Sequence, residues 1–205
     1  GDHCWDQRGS EKDLEALPFV CGPFNLLPGS PGKDCLVLEK DGFRLGVVTA
    51  LGQQLMKIPC DCAFPRIMPF LDRLREQCDA ILLEMHAETT SEKVAMGWYL
   101  DGCVAAVVGT HTHIPTADAR RLPRGTGYIT DVGMSGPYDS VLGRDIAPII
   151  GRFMDGLPRK FTVAEANVQL CGILVEIEPG KRGCRHLEPF RLVTETETAP
   201  QDASI

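Results

Sequence analysis

Three stretches of the 205-residue sequence predict an α/β fold with a parallel sheet. Asp79–Met85 and Cys103–Val108 are short apolar runs of the kind found in strands buried on both faces. Between them, Thr89 to about Leu100 carries an apolar face at Val94, Gly97, Trp98 and Leu100, so strand, helix and strand follow within about thirty residues as a βαβ unit. Upstream, Ile67, Phe70, Leu71 and Leu74 recur at i, i+3, i+4 and i+7, the core stripe of an amphipathic helix over Pro65–Gln77.

The remaining elements follow in chain order. Residues 1–10 read as a loop, and Glu11–Leu17 as a short helix with Ser10 as its N-cap, ended by Pro18. Phe19-Val20-Cys21 reads as a short strand, and the Pro and Gly of residues 22–33 as an irregular connector. Lys33–Glu39 and Phe43–Thr49 flank an Asp-Gly, the signature of a hairpin. Thr89 and Glu92 match a capping box at the start of the βαβ helix. Gly125–Asp131 is a further strand leading into a Gly- and Pro-shaped loop over 132–140. A helix is expected at Asp145–Met154. Strands at Lys160–Ala164, Val168–Glu178 and His186–Val193 then form an antiparallel set, with a turn at Glu178-Pro179-Gly180-Lys181, and residues 196–205 form a frayed tail.

Composition narrows the function. Asp and Glu number 28 against 21 Lys and Arg, a net charge of −7. With no basic block, that argues against a nucleic-acid duplex held through its phosphates and leaves a small phosphorylated substrate open. No apolar run reaches the roughly 18 residues of a membrane span, and no signal peptide is visible, so no membrane partner is expected. Nine scattered cysteines without a CxxC read as free thiols of a reducing, cytoplasmic setting, with Cys60-Asp61-Cys62 the sole close pair.

The chemistry gathers at Gly109-Thr110-His111-Thr112-His113, which follows a buried strand. The C-terminal ends of parallel strands are where open α/β sheets bind ligands. Two imidazoles at i, i+2 in extended chain point the same way and can share a metal; alternatively they are hydrogen-bonded members of a polar loop. His86 ends the neighbouring strand of the βαβ unit and so lies beside them, and Asp2-His3 can add a carboxylate and a fourth imidazole. Nitrogen and oxygen donors without thiolate favour Zn, Mn or Fe. Such a site suits hydrolysis of a phosphoester. Glu88 and Asp131 stand where they could orient the histidines, and Glu88 could equally cap the helix that follows.

Four blocks, Gly1-Asp2-His3 with Trp5-Asp6, the HAETTSEK of 86–93, the GTHTH of 109–113 and the TDVGMSGPYDSV of 130–141, resemble the YmdB-like metallophosphoesterases. These are calcineurin-like dinuclear enzymes that act as 2′,3′-cyclic-nucleotide 2′-phosphodiesterases. The resemblance implies an α/β/β/α sandwich with its site at the strand ends and two divalent ions, Fe or Mn foremost and Zn next. It implies a metal-activated hydroxide as nucleophile and a small phosphoester as substrate. It makes Asp2 (where the family has Asn), His86, His111 and His113 metal ligands and His3 the general acid, with His113 serving a different ion from His86 and His111. The family's GDxxG and GEN blocks do not occur in these residues. Residues 1–195 are therefore expected to be the C-terminal portion of one N-terminally truncated metallophosphoesterase domain. The alternative is a catalytically inert metal- or partner-binding remnant.

Overall fold

The structure is a computed structural model describing residues 1–3, 6–178 and 180–193. The expected tail at 196–205 lies outside the described residues, as do Cys4, Trp5 and Pro179.

A short helix α1 (Ser10–Ala16) precedes a hairpin of β1 (Leu36–Lys40) and β2 (Phe43–Leu51). Asp41 and Gly42 turn that hairpin, both at positive φ (52° and 78°), as a tight two-residue connection requires. Then come α2 (Ala63–Leu74), β3 (Ala80–His86), α3 (Thr90–Tyr99) and β4 (Ala106–Thr110), followed by the short β5 (Arg120–Arg121), β6 (Gly127–Ile129) and β7 (Gly136–Pro137). Helix α4 (Ile146–Asp155) and the long strands β8 (Val168–Ile177) and β9 (Cys184–Val193) complete the chain.

Strands β2, β3, β4 and β6 run parallel, and β1 and β5 add antiparallel edges, in the order β1-β2-β3-β4-β6-β5. A second, antiparallel sheet has the order β7-β8-β9. One face of the larger sheet is covered by helices: Ile67, Leu71 and Leu74 of α2, Met96 of α3 and Leu100 just after it pack with Val48, Leu83, Val107 and Tyr128. Ile67, Leu71 and Leu83 are wholly buried, and each such side chain stabilises the fold by about 1.5–3 kcal/mol. On the opposite face Ala106, Val108 and Ile129 meet Ile173 and Val175 of β8, so the layers run α, β, β. Helix α4 has no buried residue, and Leu170, Leu174 and Leu192 on the smaller sheet are exposed. Helix α3 comes close to β6 because of Gly97, where a Cβ would stand 2.4 Å from the Tyr128 ring.

Several expectations differ from the fold. Phe19–Cys21 is not a strand; the connector is instead tied down at Pro23, which forms a parallel bridge to Thr49. Residues 160–164 contribute one bridge, Arg144 to Val163. The capping box is diverted. Thr89 Oγ1 bonds the Glu92 carboxylate at 2.9 Å rather than a backbone N–H, because Glu92 accepts the Gln53 and Gln54 N–H groups at 2.9 and 3.2 Å. That use ties the loop after β2 to the start of α3. The eight described cysteines are free thiols. No helix among the described residues is long and apolar enough to cross a membrane.

Candidate metal centre

Parallel pairing places the site. In the register of β3 with β4, His86 stands opposite Thr110, so His86 closes one strand and His111 follows the last residue of the next. Asp2 reaches this edge from the chain start. Its Oδ1 lies 2.8 Å from His86 Nε2, His111 Nδ1 lies 3.2 Å from His86 Nε2, and Asp2 Oδ1 lies 3.6 Å from His111 Nδ1. A tetrahedral ion with bonds of about 2.1 Å spaces its ligand atoms about 3.4 Å apart, and this triangle matches that.

The far nitrogen of each histidine is engaged. Thr110 Oγ1 donates to Glu84 Oε1 at 2.7 Å and receives His86 Nδ1 at 2.8 Å; Thr49 donates to the other Glu84 oxygen at 2.8 Å. With the Thr110 hydroxyl hydrogen directed at the Glu84 carboxylate, His86 Nδ1 carries the hydrogen of its bond to Thr110, and Nε2 turns a lone pair toward Asp2 and His111. Glu88 Oε2 stands 3.1 Å from His111 Nε2, which leaves Nδ1 facing inward. Carboxylates behind ligating imidazoles fix ring orientation and raise basicity, so the donor set fits a divalent ion. Glu88 thus serves the histidine, and the cap is left to other groups.

Burial by itself would raise the Glu84 carboxyl, but hydrogen bonds from His86, Thr110 and Thr49 outweigh it and bring it down to about 2. Burial also opposes ionisation of Asp2, and the His86 hydrogen bond with the charges of His86, His111 and His3 leaves it lowered. Burial pushes the His111 imidazole down, against the pull of Asp2. All of these favour ionised carboxylates around neutral imidazole, the state a metal requires.

The loop that carries His111 is not extended. His111 and His113 have φ of 93° and 68°, so the i, i+2 pair does not share a direction by strand geometry. Thr112, between them, is held from below: its N–H and Oγ1 donate to Asp131 Oδ2 at 3.0 and 2.7 Å, and Lys93 Nζ bonds Asp131 Oδ2 at 3.0 Å and Thr112 Oγ1 at 3.1 Å. Lys93 and Asp131 are buried. Gly109 makes the approach possible, since a Cβ there would lie 1.7 Å from the Thr130 carbonyl oxygen.

The structure brings Asp2, His86 and His111 together and leaves His113 outside that group, its Nδ1 3.4 Å from the Leu142 carbonyl. His3 is exposed, with Nδ1 2.6 Å from Asp6 and Nε2 3.7 Å from Asp2 Oδ1. It borders a cleft of about 420 Å³ that Asp2, Glu88, His111, Lys57 and the apolar Leu55, Met56 and Ile58 also line. Among the described residues, Asp2, His86 and His111 are the group of three or more carboxylate, histidine or cysteine side chains whose ligand atoms converge closely enough to hold one ion. Sequence reasoning missed Glu84 and Lys57, and quoted Asp6, Lys93 and Thr110 within motif blocks without giving them a role. Glu84 carried a signal of its own, a carboxylate inside an otherwise apolar strand two residues before His86.

The sequence and the fold have known relatives. The family model for YmdB-like protein matches residues 1–190. A 2′,3′-cyclic-nucleotide 2′-phosphodiesterase of Bacillus subtilis (strain 168) is 43% identical over 178 residues, covering 87% of this chain and 67% of that protein. A crystal structure of a hypothetical protein from Thermus thermophilus superposes with a TM-score of 0.85 at 40% identity, covering 92% of this chain and 73% of that one. A crystal structure of a novel phosphatase from Mycoplasma pneumoniae does so with a TM-score of 0.86 at 32% identity, covering 94% of this chain and 70% of that one.

Proposed function

Because the chain belongs to the YmdB-like family and is a phosphoesterase, we propose that it hydrolyses small phosphodiesters, 2′,3′-cyclic nucleotides first among them, at a divalent-metal site held by Asp2, His86 and His111. The observation that carries this reading is the convergence of Asp2 Oδ1, His86 Nε2 and His111 Nδ1 at 2.8–3.6 Å, with Glu84 (through Thr110) and Glu88 behind the two rings. When bound, the ion supplies Lewis acidity toward a phosphoryl oxygen and lowers the pKa of water at the site.

The chain's own residues do the rest. Asp6 holds His3 Nδ1, which leaves Nε2 on the cleft side to give its proton to the leaving oxygen. Lys57 supplies a positive charge to the phosphate, and Leu55, Met56 and Ile58 offer an apolar wall for a base.

The test uses protein stripped of metal and reloaded with Mn²⁺, measuring bound Mn²⁺ and turnover of 2′,3′-cyclic AMP and bis-p-nitrophenyl phosphate. His111→Ala is expected to lose both metal and turnover. His3→Ala is expected to keep metal and lose about 10²–10⁴ in rate. Metal bound without turnover by the unaltered chain would favour the inert metal-binding reading, and no metal bound would remove both.

A further inference from the structure

Two turns meet at the end of the sheet opposite the histidines. Residues 122–126 join β5 to β6, and residues 180–183 lead into β9 from the side of β8. The Cys184 N–H donates to the Gly125 carbonyl at 2.8 Å, and a Cβ on Gly183 would come within 3.0 Å of that oxygen, so the turns are locked in contact. They border a cleft of about 460 Å³, whose cations are Arg121, Arg124, Lys181, Arg182 and Arg185.

Two of the five face a carboxylate. Lys181 Nζ is 2.8 Å from Glu178, and Arg124 Nε is 3.8 Å from Asp101. Arg121, Arg182 and Arg185 form no ion pair among the described residues. Three guanidinium groups that no carboxylate pairs with therefore share one cleft of a chain whose net charge is −7, the Glu178 charge reaching Arg185 only at longer range. Like charges held close raise the energy of the fold unless an anion joins them.

We propose that this cleft is a binding site for a small phosphate polyanion of nucleoside-polyphosphate or pyrophosphate size, separate from the metal centre. Guanidinium forks match phosphate oxygens two bonds at a time. Gly125 lets Arg121 lie against the turn, since a Cβ there would stand 3.2 Å from the Arg121 guanidinium. Its volume falls within the roughly 300–1,000 Å³ of small-molecule sites. A long nucleic acid fits less well. Beyond the cleft its backbone would run over a surface where acidic residues, 28 against 21 basic in the whole chain, are in excess. The site and the metal centre lie beyond opposite ends of β4, whose five residues span roughly 13 Å.

The experiment is calorimetric titration of the metal-free full chain with pyrophosphate and with ATP at constant ionic strength. Saturable one-to-one binding is expected, weakened roughly tenfold or more in the Arg121→Ala/Arg182→Ala/Arg185→Ala variant and in Arg182→Glu alone. All three arginines are exposed, so these variants are expected to fold as the parent does. His111→Ala is expected to bind both ligands unchanged. Absence of saturation, equal affinity in the arginine variants, loss of binding in His111→Ala, or tighter binding of a single-stranded oligonucleotide than of pyrophosphate would each overturn the proposal.

Discussion

Lys93→Met is expected to damage stability and metal affinity together. Lys93 is wholly buried, and its ammonium bonds both Asp131 and Thr112. Methionine replaces the stem but not the charge. Asp131 then keeps Thr112 N–H and Oγ1 and, at 2.8 Å, Gly133 N–H, yet loses its counterion in a place that water does not reach. Breaking a buried pair from one side costs about 3–5 kcal/mol. Set against a total of about 5–15 kcal/mol for a domain, the variant folds but melts lower, by roughly 10 °C for a chain of this size. The same loss removes one of the three bonds that hold Thr112, and with it part of the support for the left-handed backbone at His111 (φ 93°), a conformation that costs about 1–3 kcal/mol. Mn²⁺ binding should weaken about tenfold, within the range seen when a ligand's supporting groups are removed. Urea denaturation and Mn²⁺ titration read the two effects. Adding Asp131→Leu should cost less than the sum of the single changes, because the charge left stranded by the first is gone. A single-variant cost below about 1 kcal/mol, or a double variant equal to the sum, would refute the reasoning.

Gly109→Ala places a Cβ 1.7 Å from the Thr130 carbonyl and should destabilise by about 3 kcal/mol or more, read as a shift in the urea midpoint. Glu84→Gln keeps the shape behind His86 but removes the charge, so Mn²⁺ affinity should fall about 10–100-fold while thermal stability changes little. Asp118 is lowered in the fold: burial would raise it, but hydrogen bonds from Thr116 and Thr130 outweigh burial. Its stabilising effect is thus full above the ordinary carboxylate range and is lost as pH falls through its lowered value. Asp118→Asn should flatten the stability profile below about pH 4, while an unchanged acid limb would sink that assignment.

The β3–α3–β4 unit and the α2 stripe were legible because burial on one face or both writes itself into local periodicity. His86 beside His111 followed from that unit, since parallel strands bring their C-terminal ends into line. What escaped is set by partners distant in the chain. Thr89 and Glu92 fit a capping box, but Gln53 and Gln54 take the carboxylate. Phe19–Cys21 has the composition of a strand but no neighbour to pair with. The i, i+2 rule for His111 and His113 assumed extended backbone, and the pull of Asp131 on Thr112 bends it. Lys93 reads as a solvated helix charge until the strand that buries it is in place.

The two sides of the larger sheet are secured unequally. Helices lock one side through the broad cluster that includes Ile67, Leu71, Met96 and Leu100, whereas the smaller sheet is attached through the smaller cluster of Ala106, Val108 and Ile129 with β8 and through the contacts of β9 with β5 and β6. Opening need not therefore be all at once. Amide hydrogens of β8 and β9 are expected to exchange with solvent well before those of β3 and β4. Transient detachment of the smaller sheet then leaves the strand ends that present His86 and His111 intact. The protein can breathe on one side while its ligand triangle keeps its spacing.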